Sequence, residues 1–86
     1  MGTTCTLRYW AAARDAAGIS EEPCEAETLA DALAIARRHG PRLAAVLNAC
    51  SFLIDGCPAG GRDPSAVPLH PGAVIDVLPP FAGGSL

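Results

Sequence analysis

Thr28-Leu29-Ala30-Asp31-Ala32-Leu33-Ala34-Ile35-Ala36-Arg37-Arg38-His39-Gly40-Pro41 is the stretch on which the fold turns. Thr28 is a natural N-cap, because its hydroxyl can accept from a backbone N–H of the first turn. Asp31 stands three residues on, in the position of a capping box. Leu29, Ala32, Leu33 and Ala36 recur at helical spacing and define one apolar face, with Asp31 and Arg38 opposite. Arg37, Arg38 and His39 fill the last turn, where positive charge opposes the helix dipole. Gly40 stops the helix and Pro41 confirms the stop. A shorter helix is expected over 42–48, with Leu43, Val46 and Leu47 on one side.

Strand signals flank this helix on both sides. Residues 4–10 alternate with period two: Cys5, Leu7 and Tyr9 face one way, and Thr4, Thr6, Arg8 and Trp10 the other. Ala11 to Ala17 has helical propensity and ends at Gly18, a plausible C-cap. Residues 21–26 contain Pro23 and fit an edge strand, where a missing N–H is tolerated. Downstream, Ser51-Phe52-Leu53-Ile54 reads as a strand and Asp55-Gly56 as a turn. Residues 58–66 read as loop, and His70-Pro71-Gly72 as a second turn. Ala73 to Leu78 is rich in β-branched residues and is expected to be a central strand. Pro79-Pro80 ends it, since neither residue can donate to a ladder.

One strong helix among several strands leaves too few βα units for a doubly wound sheet. The expected fold is α+β: a mixed sheet curled around one main helix, as in a β-grasp or ubiquitin-like roll. A ferredoxin-like sandwich with two helices is the runner-up. With 86 residues, one domain is expected over 1–78, followed by a flexible C-terminal tail over 79–86.

Composition excludes several classes. The net charge is −3, and the six basic residues are all Arg. Only Arg37 and Arg38 are adjacent, so no basic patch invites nucleic acid. Without Lys, the chain cannot form lysine isopeptide links to copies of itself. No secretory segment precedes the first strand and no apolar run approaches membrane-spanning length, so a cytoplasmic protein with no membrane partner is expected. Cys5, Cys24, Cys50 and Cys57 contain no C-x-x-C pair and read as small core residues rather than metal ligands. Cys50 and Cys57 are the pair whose spacing allows a bridge under oxidation. His39 and His70 read as surface residues beside turns. Asp15, Asp55 and Asp76 read as loop or surface carboxylates, with no partner that spacing identifies for acid–base work.

The segment after the last strand, Phe81-Ala82-Gly83-Gly84, has a physical logic of its own. Gly83 and Gly84 have no Cβ, so this stretch can enter a narrow tunnel and present an unhindered carbonyl. Pro79-Pro80 stiffens its root. Two adjacent glycines prove little alone, since Gly60-Gly61 sits in an ordinary loop; their place after a strand, a Pro-Pro stop and an aromatic residue is what distinguishes them.

Leu7-Arg8-Tyr9-Trp10-Ala11-Ala12-Ala13-Arg14-Asp15-Ala16-Ala17-Gly18 resembles the opening of MoaD-type proteins, and Pro71 to Gly84 resembles their ending. Cys50 to Gly56 is similar to the middle strand and turn of actinobacterial members. The resemblance to the MoaD/ThiS family implies a β-grasp fold and a sulfur-carrier role. It implies that an E1-like adenylyltransferase uses ATP to adenylate the carboxylate of Gly84, which a sulfur donor then converts to a thiocarboxylate. It implies a second partner, a sulfurtransferase or the large subunit of molybdopterin synthase. Gly84 would carry the sulfur, Ala82 and Gly83 would thread the partner's tunnel, and Phe81 would pack at its mouth. No cofactor is bound and no catalytic side chain is required.

The chain departs from that pattern by continuing through Ser85-Leu86. The expectation is a dipeptide that a tail-trimming peptidase removes; a remnant of expression and a protein that has lost carrier activity are the alternatives. Other sulfur acceptors lie in cysteine, thiamin or natural-product pathways. A different class is a ubiquitin-like protein modifier joined to substrate lysines through Gly84. An iron–sulfur β-grasp protein fits the cysteine spacing poorly.

Overall fold

The computed structural model describes residues 3–80. Met1, Gly2 and Phe81 to Leu86 lie outside the described residues, and with them the expectations placed on Phe81, Ala82, Gly83 and Gly84. The chain runs β1 (Thr4–Tyr9), α1 (Ala11–Ala17), β2 (Glu21–Glu25), α2 (Leu29–Ala36), α3 (Pro41–Leu47), β3 (Ser51–Ile54), β4 (Cys57–Pro58) and β5 (Val74–Leu78). The strands form one sheet in the order β2-β1-β5-β3-β4. β1 and β5 pair in parallel, and the other neighbours are antiparallel. This mixed sheet with helices on one side is the expected β-grasp roll. The ferredoxin-like alternative fails, because α3 has only seven residues.

Period two in β1 sorts its side chains as expected. Cys5, Leu7 and Tyr9 are buried, and they meet Cys24, Ile75 and Val77 on one sheet face. Leu29, Ala32, Leu33 and Ala36 of α2 cover that face, joined by Ala13 of α1 and by Leu43 and Leu47 of α3. Alanines at the contact let the helix lie close to the sheet. Burying a Leu or Ile side chain here stabilises the fold by roughly 1.5–3 kcal/mol each.

Thr28 caps α2 as expected, its Oγ1 accepting from the Asp31 N–H at 3.2 Å. The helix is shorter than its periodicity predicts. Its last turn, Arg37–His39, tightens to a 3-10 turn, a frequent way to satisfy the carbonyls at a helix end. Gly40 has φ +124°, a region closed to most side chains, and Pro41 then opens α3 at its first position.

β2 is an edge strand. Tyr9 N–H donates to the Ser20 carbonyl and Ala26 N–H to the Thr3 carbonyl, both at 2.8 Å. Counting the alternation between these bonds makes Thr6–Pro23 a non-hydrogen-bonded pair, so the missing N–H of Pro23 faces the open edge. The loop expected over 58–66 is instead partly ordered. Asp55 and Gly56, at φ +53° and +83°, form a two-residue turn that brings β4 onto β3, and Pro64–Ala66 adds a 3-10 turn. A two-residue strand leaves no periodic signal, which is why the sequence conceals it.

Candidate functional site at the root of the tail

β5 is the central strand of the sheet, as expected, and it delivers the chain to one end of the molecule. Leu78 pairs with Ser51, and Trp10 N–H donates to the Val77 carbonyl at 3.3 Å. Pro79 is buried and Pro80 is exposed, so the body of the fold ends between them. Phe81 and everything after it lies beyond this point, outside the described residues.

The outward face of the sheet at this end carries a cluster that sequence reasoning misses. Asp76 was expected to be a surface carboxylate; the structure corrects this. It is 7% exposed, and its Oδ1 accepts from Arg8 Nε at 2.8 Å and from Trp10 Nε1 at 2.9 Å. The register explains the meeting. Arg8 stands opposite Asp76 across the parallel β1–β5 pair, and Trp10 follows two residues later on the same face. The Arg8 guanidinium lies 5.6 Å from the centre of the Trp10 ring, within cation–π range. The bond to Asp76 also holds the Arg8 guanidinium more firmly protonated than usual. A signal was present in the sequence, since Asp76 interrupts an otherwise apolar run; what it lacked was the register that names its partners.

Two of the surface depressions lie beside strands β1 and β3. A shallow one of about 140 Å³ lies between Trp10, Arg8, Arg14 and Glu21. A larger cleft of about 290 Å³ lies beside β3 and β4, lined by Leu29, Phe52, Pro58, Cys50 and Arg62. Neither gathers acid–base groups. The remaining polar side chains serve the fold. Tyr9 Oη donates to Glu22 Oε2 at 2.6 Å, and His39 Nε2 meets the same oxygen at 2.6 Å. Burial, then the Glu22 bond, pushes the Tyr9 phenol far above its usual pKa. His39 is thus more tied down than a simple surface residue, its ring edge-on to Tyr9. His70 is exposed, as expected, and pairs with Asp55.

The cysteines are core or surface thiols. Cys5 and Cys24 stand directly opposite each other across β1–β2 and are buried. Burial pushes the Cys24 thiol up to about 11 and raises those of Cys5 and Cys50 as well, so none of these three is a ready thiolate. Cys57 pairs with Ile54, four residues along the strand direction from Cys50. At about 3.3 Å per residue that separation is too long for a bridge. No group of three or more His, Cys, Asp or Glu residues able to hold a metal occurs among the described residues. No helix of the described residues is long and apolar enough to cross a membrane.

The fold and the strand that leads into the tail define a class: small β-grasp proteins of the sulfur-carrier and ubiquitin-like type. The sequence profile of the ThiS family matches residues 7–84, and the chain belongs to that family. No curated protein sequence matches it. Among solved structures it is similar to small archaeal modifier protein 1 from Methanosarcina acetivorans, at 23% identity over 98% of this chain and 99% of that one, with a TM-score of 0.84. It is similar to a Haloferax volcanii protein designated HVO 2177, at 25% identity over 95% and 87% of the two chains, with a TM-score of 0.77. It is also similar to a chain in the complex of subunits 1 and 2 of molybdopterin-converting factor from Helicobacter pylori, at 22% identity over 92% and 96%, with a TM-score of 0.69.

Proposed function

We propose that this protein is a sulfur carrier whose working group is the carboxyl of Gly84, exposed by removal of Ser85-Leu86. The observation that carries the proposal is that the ThiS-family match runs through to Gly84, directly after a central strand that ends in Pro79-Pro80. Fully extended, Pro79 to Gly84 reaches about 20 Å, enough to enter a neighbouring enzyme while the fold stays outside.

The chemistry follows from what a bare carboxylate lacks. It is a poor electrophile, so an adenylating enzyme joins it to the α-phosphate of ATP and releases pyrophosphate. A sulfur donor then displaces AMP, leaving a thiocarboxylate on Gly84. The sulfur is a better nucleophile than the oxygen it replaces and passes to an acceptor in a second partner. We place that acceptor in molybdopterin synthesis, with a synthase large subunit as the partner; the two-subunit Helicobacter pylori complex, whose chain shares this fold, supports that choice. Cysteine, thiamin and natural-product pathways are the other acceptor classes. Only the first step uses ATP, in the activating enzyme, and no side chain of this chain takes part in bond making.

The decisive experiment incubates a chain ending at Gly84 with ATP, an adenylating enzyme and a sulfur source. Exchange of oxygen for sulfur adds about 16 Da to the intact mass. No mass gain would overturn the carrier reading. Trimming is tested separately: protein recovered from its own cells should lack Ser85 and Leu86, and an active pool retaining Leu86 would refute it. The likeness to small archaeal modifier protein 1 favours one second reading, attachment of Gly84 to substrate lysines. Higher-mass conjugates on immunoblots would mark a modifier, and their absence a carrier.

A further inference from the structure

We propose that Asp76 is a positioning residue that presets Trp10 and Arg8 as a single anchor for the ATP-using enzyme that takes up the tail. The proposal rests on the carrier reading above and names the contact that brings that partner to the tail.

The argument starts from an oddity of burial. Asp is depleted in strands, yet Asp76 occupies the middle of the central one, with its side chain 10% exposed on the outward face. The same carboxylate oxygen receives both the Trp10 indole N–H and the Arg8 Nε–H. Trp10 as a whole residue stays 44% exposed. Trp10 is thus held at its polar edge by Asp76 and flanked on its face by Arg8, while the rest of the ring is offered to solvent. A rigid, exposed indole loses little freedom on binding, which is the property of an interface hot spot.

Its surroundings fit an interface. Trp10 and Ile19 are the exposed large hydrophobic residues among those described. Each adjoins one end of the backbone hydrogen bond from Tyr9 to Ser20, Trp10 after Tyr9 and Ile19 before Ser20. Arg8 is largely neutralised by Asp76, so the patch is apolar and aromatic at its centre, with Arg14 and Glu21 at the rim of the adjoining depression. A socket lined by apolar side chains is the surface it fits.

Position identifies the occupant. Trp10 is bonded to Val77, two residues before Pro79. With Gly84 no more than about 20 Å further on, an enzyme that draws Gly84 into its active site must lie against this end of the sheet. The indole and the tail are therefore read by the same body.

The chain contains one Trp, so its emission reports on Trp10 without labelling. Chains ending at Gly84, as wild type and as the variants Asp76→Ala, Asp76→Asn and Trp10→Ala, are titrated by calorimetry with the adenylating enzyme of the same cells. Trp emission anisotropy is recorded on each free chain that retains the indole. We expect Asp76→Ala to lower the anisotropy and weaken binding about tenfold, and Trp10→Ala to weaken it about thirtyfold. Asp76→Asn keeps an acceptor oxygen and should restore both readouts to within about threefold. The double variant should lose clearly less than the sum of the two single losses, because Asp76 acts through the anchor that Trp10 and Arg8 form together. Wild-type affinity in Asp76→Ala despite a freed indole would overturn the proposal, as would additive losses in the double variant. Absence of binding by the wild type would instead overturn the carrier reading, and the proposal with it.

Discussion

Asp76 shows how a residue can be costly for a fold and useful on it. Burying a carboxylate is repaid only when its bonds are good, and replacing such a group with an apolar side chain is often neutral or better for stability. Here the two donor residues, Arg8 and Trp10, are themselves exposed, the Arg8 side chain to 42% and Trp10 to 44%. Removing the carboxylate therefore orphans nothing in the interior. Asp76→Val, which also suits a strand, should change urea-unfolding stability by less than about 1 kcal/mol. Tyr9→Phe is the contrasting case. It strips the buried hydroxyl from Glu22 but leaves His39 on that carboxylate, and equilibrium unfolding should show a loss of about 1 kcal/mol. At this scale the sequence was half legible. The inward parity of Cys5, Leu7 and Tyr9 could be read directly from their alternation. The role of Asp76 could not, because a residue's partners across a parallel pair depend on a register that no local pattern records.

Among the elements, α2 was the most legible and its end the least. Its cap is a single hydroxyl, and Thr28→Ala should cost about 1 kcal/mol in a denaturant titration. Its tightened last turn reflects competition between helical propensity and the stop at Gly40, which periodicity alone does not weigh. The β3–β4 turn is held from outside by the Asp55–His70 pair, with Asp55 Oδ1 also accepting from Val74 N–H at 3.1 Å. The His70 pKa is raised, chiefly by its hydrogen bond to Asp55. Its contribution is therefore full below the usual 6.5 and fades as pH rises through the folded value. The Asp55 pKa is lowered, chiefly by His70 and then by Val74. That contribution is present above the usual 3.8 and fades as pH falls through the folded value. The pair should thus act most strongly between those two values. His70→Ala should lower the melting temperature at about pH 5.5 and have a smaller effect at about pH 8.5, as thermal scans at both would show. Equal shifts at the two pH values would contradict this account.

For the whole molecule, the class of fold followed from one strong helix among strands with a strand at the end. The neighbourhood of first and last strands followed only from the structure. Leu7 and Ile75 are partners in that pair and are fully buried. Ile75→Ala should cost about 2–5 kcal/mol, measurable as a drop in the urea midpoint at an unchanged slope. The role proposed for the tail rests on chemistry that can be read in the sequence, from Gly83-Gly84 and the Pro-Pro root. The docking face beside it was not, because it is assembled from strands far apart in the chain.

The pairing of β1 with β5 also bears on how the protein is made. During synthesis β1 emerges well before its central neighbour β5, at roughly 5–20 residues per second. Until Val74 to Leu78 has left the ribosome, the nascent chain can form helices and the β1–β2 hairpin but cannot close its sheet. The glycines follow immediately behind the strand that closes it. An enzyme that recognised Gly83-Gly84 would therefore meet a chain in which β5 has already been made, so the order of translation would place the strand that closes the sheet ahead of activation.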